Sequence, residues 1–403
     1  MRYDLPKNIR KKQKTDWPTG VGGIPVLLPD GCRTKVPVLK GANAITFGVT
    51  GTGKTRSYTL PAAEILLNAV PDMKGVFFEI KRSFTERFLK PGDKVISYNF
   101  NAVPTDNRFG WCLIKEIRQA RDREAEMRQI ADFLFSDILS DANQNLAWAE
   151  SARNTFIAVL RVIVDFFPDN TTNRTLVSAL RRMTLEDLLA YLAKHPRNHS
   201  LLEKDFGYET GRASKYRRTR RAEDIMFFFN QVLEKFSGSF ESDSPDTIHD
   251  FLHTERQNLF ILYDLSTSEI SRPFILYFLK KIKDEKMSNT SDVEFPVLLC
   301  LDEVDKMADG GKAADFGLFQ AVTLGREYGL QILLTTQSME NLYGLAPDFN
   351  RHITEGGMAG FPVILSFRPG DPATVRNLQT LFGSGYREHL ILPVSRYDRA
   401  DIK

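Results

Sequence analysis

Residues 48–55 read Gly-Val-Thr-Gly-Thr-Gly-Lys-Thr, which fits G-x-x-x-x-G-K-[ST]. Gly51 and Gly53 free the backbone for left-handed or crowded conformations, so that N–H groups can converge on phosphate oxygens at a helix N-terminus. Lys54 supplies a point charge to the β- and γ-phosphates, and the Thr55 hydroxyl is a ligand for Mg²⁺. The candidate phosphate binders are therefore Gly48, Thr50, Gly51, Thr52, Gly53, Lys54, Thr55 and Arg56. A β-branched and aromatic run precedes them and helix formers follow, so the loop falls between a strand and a helix.

Hydrolysis of a nucleotide held there needs a metal opposite the loop and an activated water. The apolar run 295–301 ends in Asp302-Glu303. Asp302 is placed to hold Mg²⁺ through its water shell, and Glu303 to polarise the attacking water. An apolar strand often ends in acidic residues merely where it meets solvent, so the weight comes from its place after a phosphate loop in an alternating chain. Gln337 follows the next strand, at the end of a parallel sheet where ligands bind. Arg326 ends the helix between those strands. It is either a cation favourably set at a helix C-terminus or a finger reaching a neighbouring subunit's nucleotide.

The densest positive cluster is Arg212, Lys215, Arg217, Arg218, Arg220 and Arg221, with Tyr216 among them. Such a cluster suits phosphate contacts that tolerate any sequence and weaken with salt, although Glu223 and Asp224 follow at once and a solvated helix face looks the same. Of the histidines, His195 and His199 are four apart, but Pro196 interrupts the helix that would align them.

The elements that must position these residues alternate. Strands are expected at 44–48, 75–80, 94–98, 258–265, 295–301, 331–335 and 361–367, with helices between them, which argues for a parallel sheet in an α/β fold. Pro61 is expected to bend the helix after the loop, and a helix is expected over 272–286. Residues 118–250 carry helical periodicity throughout, as at Met127, Ile130, Leu134 and Ile138. They form an all-α domain inserted between core segments 44–117 and 251–403, behind an N-terminal arm and hairpin over 1–43. Within the insertion, 196–210 reads as loop, 237–245 as linker, and Thr184 with Asp187 as a capping box.

At 403 residues, 42% hydrophobic and 26% charged, the chain can bury a large core. Its net charge of +3 is too small to name a partner, so local charge carries that question. Cys32, Cys112 and Cys300 form no metal-ligand pattern and fit a reducing compartment. No run approaches the roughly 18 apolar residues of a membrane span.

In this order, the motifs resemble those of the conjugative coupling proteins of type IV secretion systems, the TraG/TraD-type ATPases. The resemblance covers residues 45–383: the phosphate loop, Glu79 with Lys81, Pro91-Gly92-Asp93, Trp111-Cys112-Leu113, Trp148 with Ser151 and Arg153, residues 301–305, Arg326 in its R-x-[YF]-G segment, and Gln337-Ser338. It implies a RecA-like P-loop NTPase core, a homo-hexamer fuelled by ATP and Mg²⁺, and delivery of relaxase-bound single-stranded DNA or protein to the secretion channel. The inserted helices would face DNA or the relaxosome, with the protein cytoplasmic and recruited to inner-membrane secretion components.

Family members commonly begin with membrane helices, whereas about forty polar residues precede the core here. That departure implies a soluble variant working with a separate membrane-anchor subunit, or a chain lacking its anchor. Two other readings stay open: a DNA pump of the FtsK/HerA type, against which the insertion argues, and a nucleotide-gated docking platform that barely hydrolyses ATP.

Overall fold

The computed structural model describes residues 20–27, 33–141, 145–208, 220–288, 294–308, 316–339, 360–367, 372–382 and 392–393. Seven strands, β3 (Ala44–Gly48), β4 (Lys74–Glu79), β5 (Lys94–Ser97), β6 (Leu259–Leu262), β7 (Val297–Asp302), β8 (Leu330–Thr336) and β9 (Val363–Phe367), form one sheet ordered β5-β6-β4-β7-β8-β3-β9. Every neighbouring pair in it is parallel. A separate antiparallel sheet joins β1 (Gly20–Leu27), β2 (Arg33–Leu39) and β10 (Leu392–Pro393).

The central strands are apolar on both sides because both sides are covered. Alternate side chains feed two cores. Ile45, Phe47, Val76, Phe78 and Ile96 join the core formed with the inserted helices. Ala44, Phe77, Phe260, Leu298, Cys300 and Leu333 join the other, with the hairpin and α1 (Leu60–Ala69). There Phe77 stacks on Phe260 and on Phe84 and Phe88 of α2 (Ser83–Phe88). Buried amides fix the register at the amino ends: Asn43 bonds the Val322 and Gly360 carbonyls and the Ile332 N–H, while Gln331 bonds the loop over residues 39–42.

Between β5 and β6 the chain forms α3 (Leu113–Gln119), α4 (Arg123–Asp141), α5 (Leu146–Phe166), α6 (Asn173–Arg182), α7 (Leu185–Leu192), α8 (His199–Phe206), α9 (Arg220–Glu234) and α10 (Ile248–His253). The two ends of this excursion are tied together. Cys112 N–H donates to the Asp246 carbonyl and Asp246 N–H to that of Gly110, while buried Glu116 accepts from Trp111 Nε1 and from the Ile248 and His249 N–H groups. Burial pushes the Glu116 carboxyl up to about 7. Trp111 packs against Phe274, Tyr277 and Phe278 of α11 (Ser268–Lys286), which returns to the sheet.

Several local expectations change. Pro61 stands in the first turn of α1. The turn before that helix, Thr55–Thr59, is wound as a π-helix closed by Leu60 N–H on the Thr55 carbonyl. Residues 196–210, expected as loop, contain α8, because Leu202 and Phe206 are spaced to bury one face and Gly207 closes the helix in the left-handed conformation. Residues 237–245 are no free linker: Ser239 Oγ accepts from Ser97 N–H, and Phe240 stacks on Phe274 at 4.1 Å. α11 begins at Ser268, four residues before the expected start, with Pro273 inside it. The Thr184–Asp187 capping box is present at α7. No described helix is long and apolar enough to cross a membrane.

Phe240→Ala separates packing from linkage. Loss of this buried ring is expected to lower the unfolding free energy by about 3–5 kcal/mol in denaturant titration, where a change in a free linker would cost under about 0.5.

Candidate functional site

The phosphate-loop residues leave the carboxyl end of β3. Gly51 and Gly53 both take φ +84°, the conformation anticipated for them. Gly48 is needed for a different reason: a Cβ there would lie 1.9 Å from the Phe367 carbonyl oxygen on β9. Lys54 is buried and donates to the carbonyls of Gly48 (2.5 Å) and Val49 (3.2 Å). Burial lowers its pKa, while the carboxylates of Glu303, Asp302 and Asp305 pull it back up. Thr52 Oγ1 donates to the Val49 carbonyl, whereas Thr50 and Arg56 are exposed.

β8 separates the loop strand β3 from β7, so the acidic strand end has to be reached across it. Asp302 and Thr335 are register partners, and the Thr335 hydroxyl donates to Asp302 Oδ1. From the other side Thr55 Oγ1 donates to that same oxygen at 2.8 Å. The Thr335 oxygen also accepts the Glu303 N–H at 2.9 Å. Two hydroxyls thus converge on one carboxylate oxygen, and one of them also fixes the next residue's backbone. Burial raises the Asp302 pKa, and the two hydroxyl bonds only partly offset it.

Glu303 has φ +54°, uncommon for a residue with a side chain and costing roughly 1–2 kcal/mol. The turn departs from the strand's pleat, and the buried Glu303 carboxylate meets Lys81 Nζ at 2.9 Å. Glu79, fully buried at the end of β4, accepts the Phe84 and Thr85 N–H groups and so caps α2. Gln337 follows β8, and its N–H donates to Asp305 Oδ2 at 3.4 Å.

Arg326 stands apart from this group. It is exposed, on a 3₁₀ turn (Gly325–Tyr328) closed by Gly329 at φ +72°, before β8 starts. At a rise of ~3.3 Å per residue, β8 puts it roughly 20 Å from the phosphate loop of its own chain. Of the basic run, Arg212, Lys215, Arg217 and Arg218 lie outside the described residues. Arg220 opens α9, and Arg221 pairs with Asp205 at 2.6 Å.

A basic surface unforeseen in the sequence lies nearby. Arg128, Arg153, Arg161, Arg197 and Lys204 line a cavity of about 420 Å³ with Asp205. Arg161 is held there by Glu124 through both carboxylate oxygens. These cations come from three helices and a turn, so no run of charge announces them. Thr335 was likewise unmarked, although a hydroxyl on the strand between two site strands is a signal that alternation could have supplied.

A family model for the type IV secretion-system coupling protein DNA-binding domain matches residues 34–347. The chain belongs to that family. Solved structures agree on the fold of this coupling-protein chain. The unbound conjugative coupling protein TrwBdeltaN70 superposes with TM-score 0.62 at 16% identity, over 93% of this chain and 78% of that one. TrwB in complex with ADP and Mg²⁺ gives 0.57 at 17%, over 90% and 77%. VirB4 of Thermoanaerobacter pseudethanolicus gives 0.52 at 15%, over 95% and 99%. No curated protein sequence matches.

The two bonds to Asp302 use one oxygen, so Asp302→Asn can keep both while removing a costly buried charge. With its folded pKa raised, ionisation of Asp302 penalises folding as pH rises through the window between its unfolded and folded values. Asp302→Asn is therefore expected to raise Tm, measured without Mg²⁺ or nucleotide, by most at pH 7–8 and by progressively less as the pH approaches about 4.

Proposed function

We propose that this coupling protein hydrolyses ATP and uses the turnover to move DNA, or a protein substrate, toward a type IV secretion channel. The convergence of the Thr55 and Thr335 hydroxyls on Asp302 Oδ1, with Glu303 and Lys54 beside it, carries the reading. Thr55 Oγ1 and Asp302 Oδ1 are hard oxygen donors 2.8 Å apart, which suits Mg²⁺ held directly or through water. When bound, that ion would neutralise charge on the phosphates. Lys54 would exchange its loop carbonyls for β- and γ-phosphate oxygens. Glu303 would orient the attacking water and take up its proton, released from Lys81 or sharing it. Gln337, between loop and acid, would sense the γ-phosphate. The relative crystallised with ADP and Mg²⁺ supports the same use of the shared fold.

Arg326 cannot serve the nucleotide of its own chain from the far end of β8. Its exposure supports service to a neighbour's, and a closed ring of six copies would give every loop such a partner. Single-stranded DNA would be held without sequence preference by the basic cavity and the cationic run at 212–221. The relaxase-bearing complex and inner-membrane secretion components at the cytoplasmic face of the membrane are the partners this role calls for.

Phosphate release with and without single-stranded DNA tests the chemistry. Lys54→Ala and Glu303→Gln are each expected to cut DNA-stimulated turnover more than ~100-fold, the second while keeping nucleotide affinity. Intact turnover in Glu303→Gln would remove the assignment, and a wild-type chain that binds ATP tightly without turnover would be a docking platform. For DNA, Arg128→Glu with Arg197→Glu is expected to weaken binding at least about ten-fold at low salt and to flatten its salt dependence.

A further inference from the structure

We propose that His249, His253 and Glu285 form a binding site for a first-row transition-metal dication such as Zn²⁺, away from the nucleotide site. His249 and His253 are four residues apart on α10, with ring centroids 4.1 Å apart. Glu285, near the end of α11, faces them, and one donor atom from each residue lies within 4.8 Å of the others. His249 Nδ1 is 3.2 Å from Glu285 Oε2, close to the ligand spacing of a tetrahedral ion with bonds of ~2.0–2.2 Å. Two imidazoles and one carboxylate are a donor set for Zn²⁺, Co²⁺ or Fe²⁺ and leave a fourth position for water.

The surroundings prepare these groups as ligands. His253 Nδ1 donates to the His249 carbonyl at 2.8 Å, which orients the ring and leaves the lone pair on Nε2. Lys281 holds the other oxygen of Glu285 at 3.0 Å, leaving Oε2 toward the histidines. Lys281 also pairs with Glu126 at 2.6 Å, and Glu116 adds a further carboxyl behind α10. The local acids outnumber the lysine, so a dication would relieve their repulsion. Asp250, within the His-Asp-Phe-Leu-His run, is held by Lys115 at 2.7 Å and by Gln119, and therefore serves no water at this ion.

The location gives the ion a structural use. α10 closes the helical insertion and α11 connects β6 to β7, so one metal would add a link between the two helices. The end of α11 also packs beside Gly329, which closes the turn carrying Arg326: a Cβ there would lie 3.7 Å from Lys286 Cε. The competing state is a protonated His249 paired with Glu285, since this carboxylate raises the imidazole's pKa against the opposing effect of burial, with Glu116 adding to it and Lys281 subtracting. Metal and proton thus compete for the same nitrogen, and affinity falls as pH drops.

The test is a titration of Zn²⁺ into the full, tag-free chain at pH 8 with excess Mg²⁺, in a Cys32→Ser background, with Co²⁺ absorption as reporter of geometry. One equivalent should bind and raise Tm. His249→Gln and His253→Gln should each weaken binding more than about ten-fold while leaving the Tm of the metal-free protein within a few degrees. Undiminished stoichiometry and affinity in both variants, or no saturable binding by the parent, would overturn the site. A variant that fails to fold is replaced by Glu285→Gln, which must weaken Zn²⁺ binding for the proposal to stand.

Discussion

The Thr55 and Thr335 hydroxyls that meet on Asp302 hold the site together. The sheet order puts β8 between the phosphate loop and the acidic strand, so neither reaches the other through backbone bonds. Thr55 spans the gap by donating to Asp302, and Thr335 on β8 steadies the acidic end by donating to the same oxygen and accepting from the Glu303 N–H. With Thr55 on the far side of Asp302, the loop, β8 and β7 become one polar unit in an otherwise apolar sheet. A buried network of this kind is costly when incomplete and rigid when satisfied, which suits a site that must meet phosphate in one geometry.

Much of this was legible in the sequence because the rules that govern it are local. The loop glycines, the apolar runs of the parallel strands and the Thr184–Asp187 cap each follow from residue type and spacing. What escaped depends on contacts far along the chain. The left-handed φ of Glu303 comes with an N–H bond to Thr335, thirty-two residues away. Phe240 is surrounded by polar residues that read as a linker, yet its partner Phe274 supplies a buried ring face. The π turn over Thr55–Thr59, directly before the start of α1, is announced by no residue type in that stretch. The basic cavity collects cations from separate helices, so composition along the chain could not show it.

Arg326 and the phosphate loop mark opposite ends of the sheet, and the inserted helices cover one face of it. On the proposed function, that division would separate three tasks: nucleotide chemistry at the carboxyl ends of the strands, contact with a neighbour at the amino ends, and substrate contact on the helical insertion. Asn43 and Gln331 tie the second region to the amino ends of β3 and β8 through buried hydrogen bonds.

The central claim is that the hydrolytic site is shared between copies of the chain. Mixing Lys54→Ala protein with Arg326→Ala protein tests it directly, by phosphate release in the presence of DNA. Each variant alone should be inactive. An equal mixture should recover activity at about a quarter of the interfaces, where an intact loop meets an intact arginine. Full activity of Arg326→Ala by itself, or a mixture as inactive as its parts, would contradict the account.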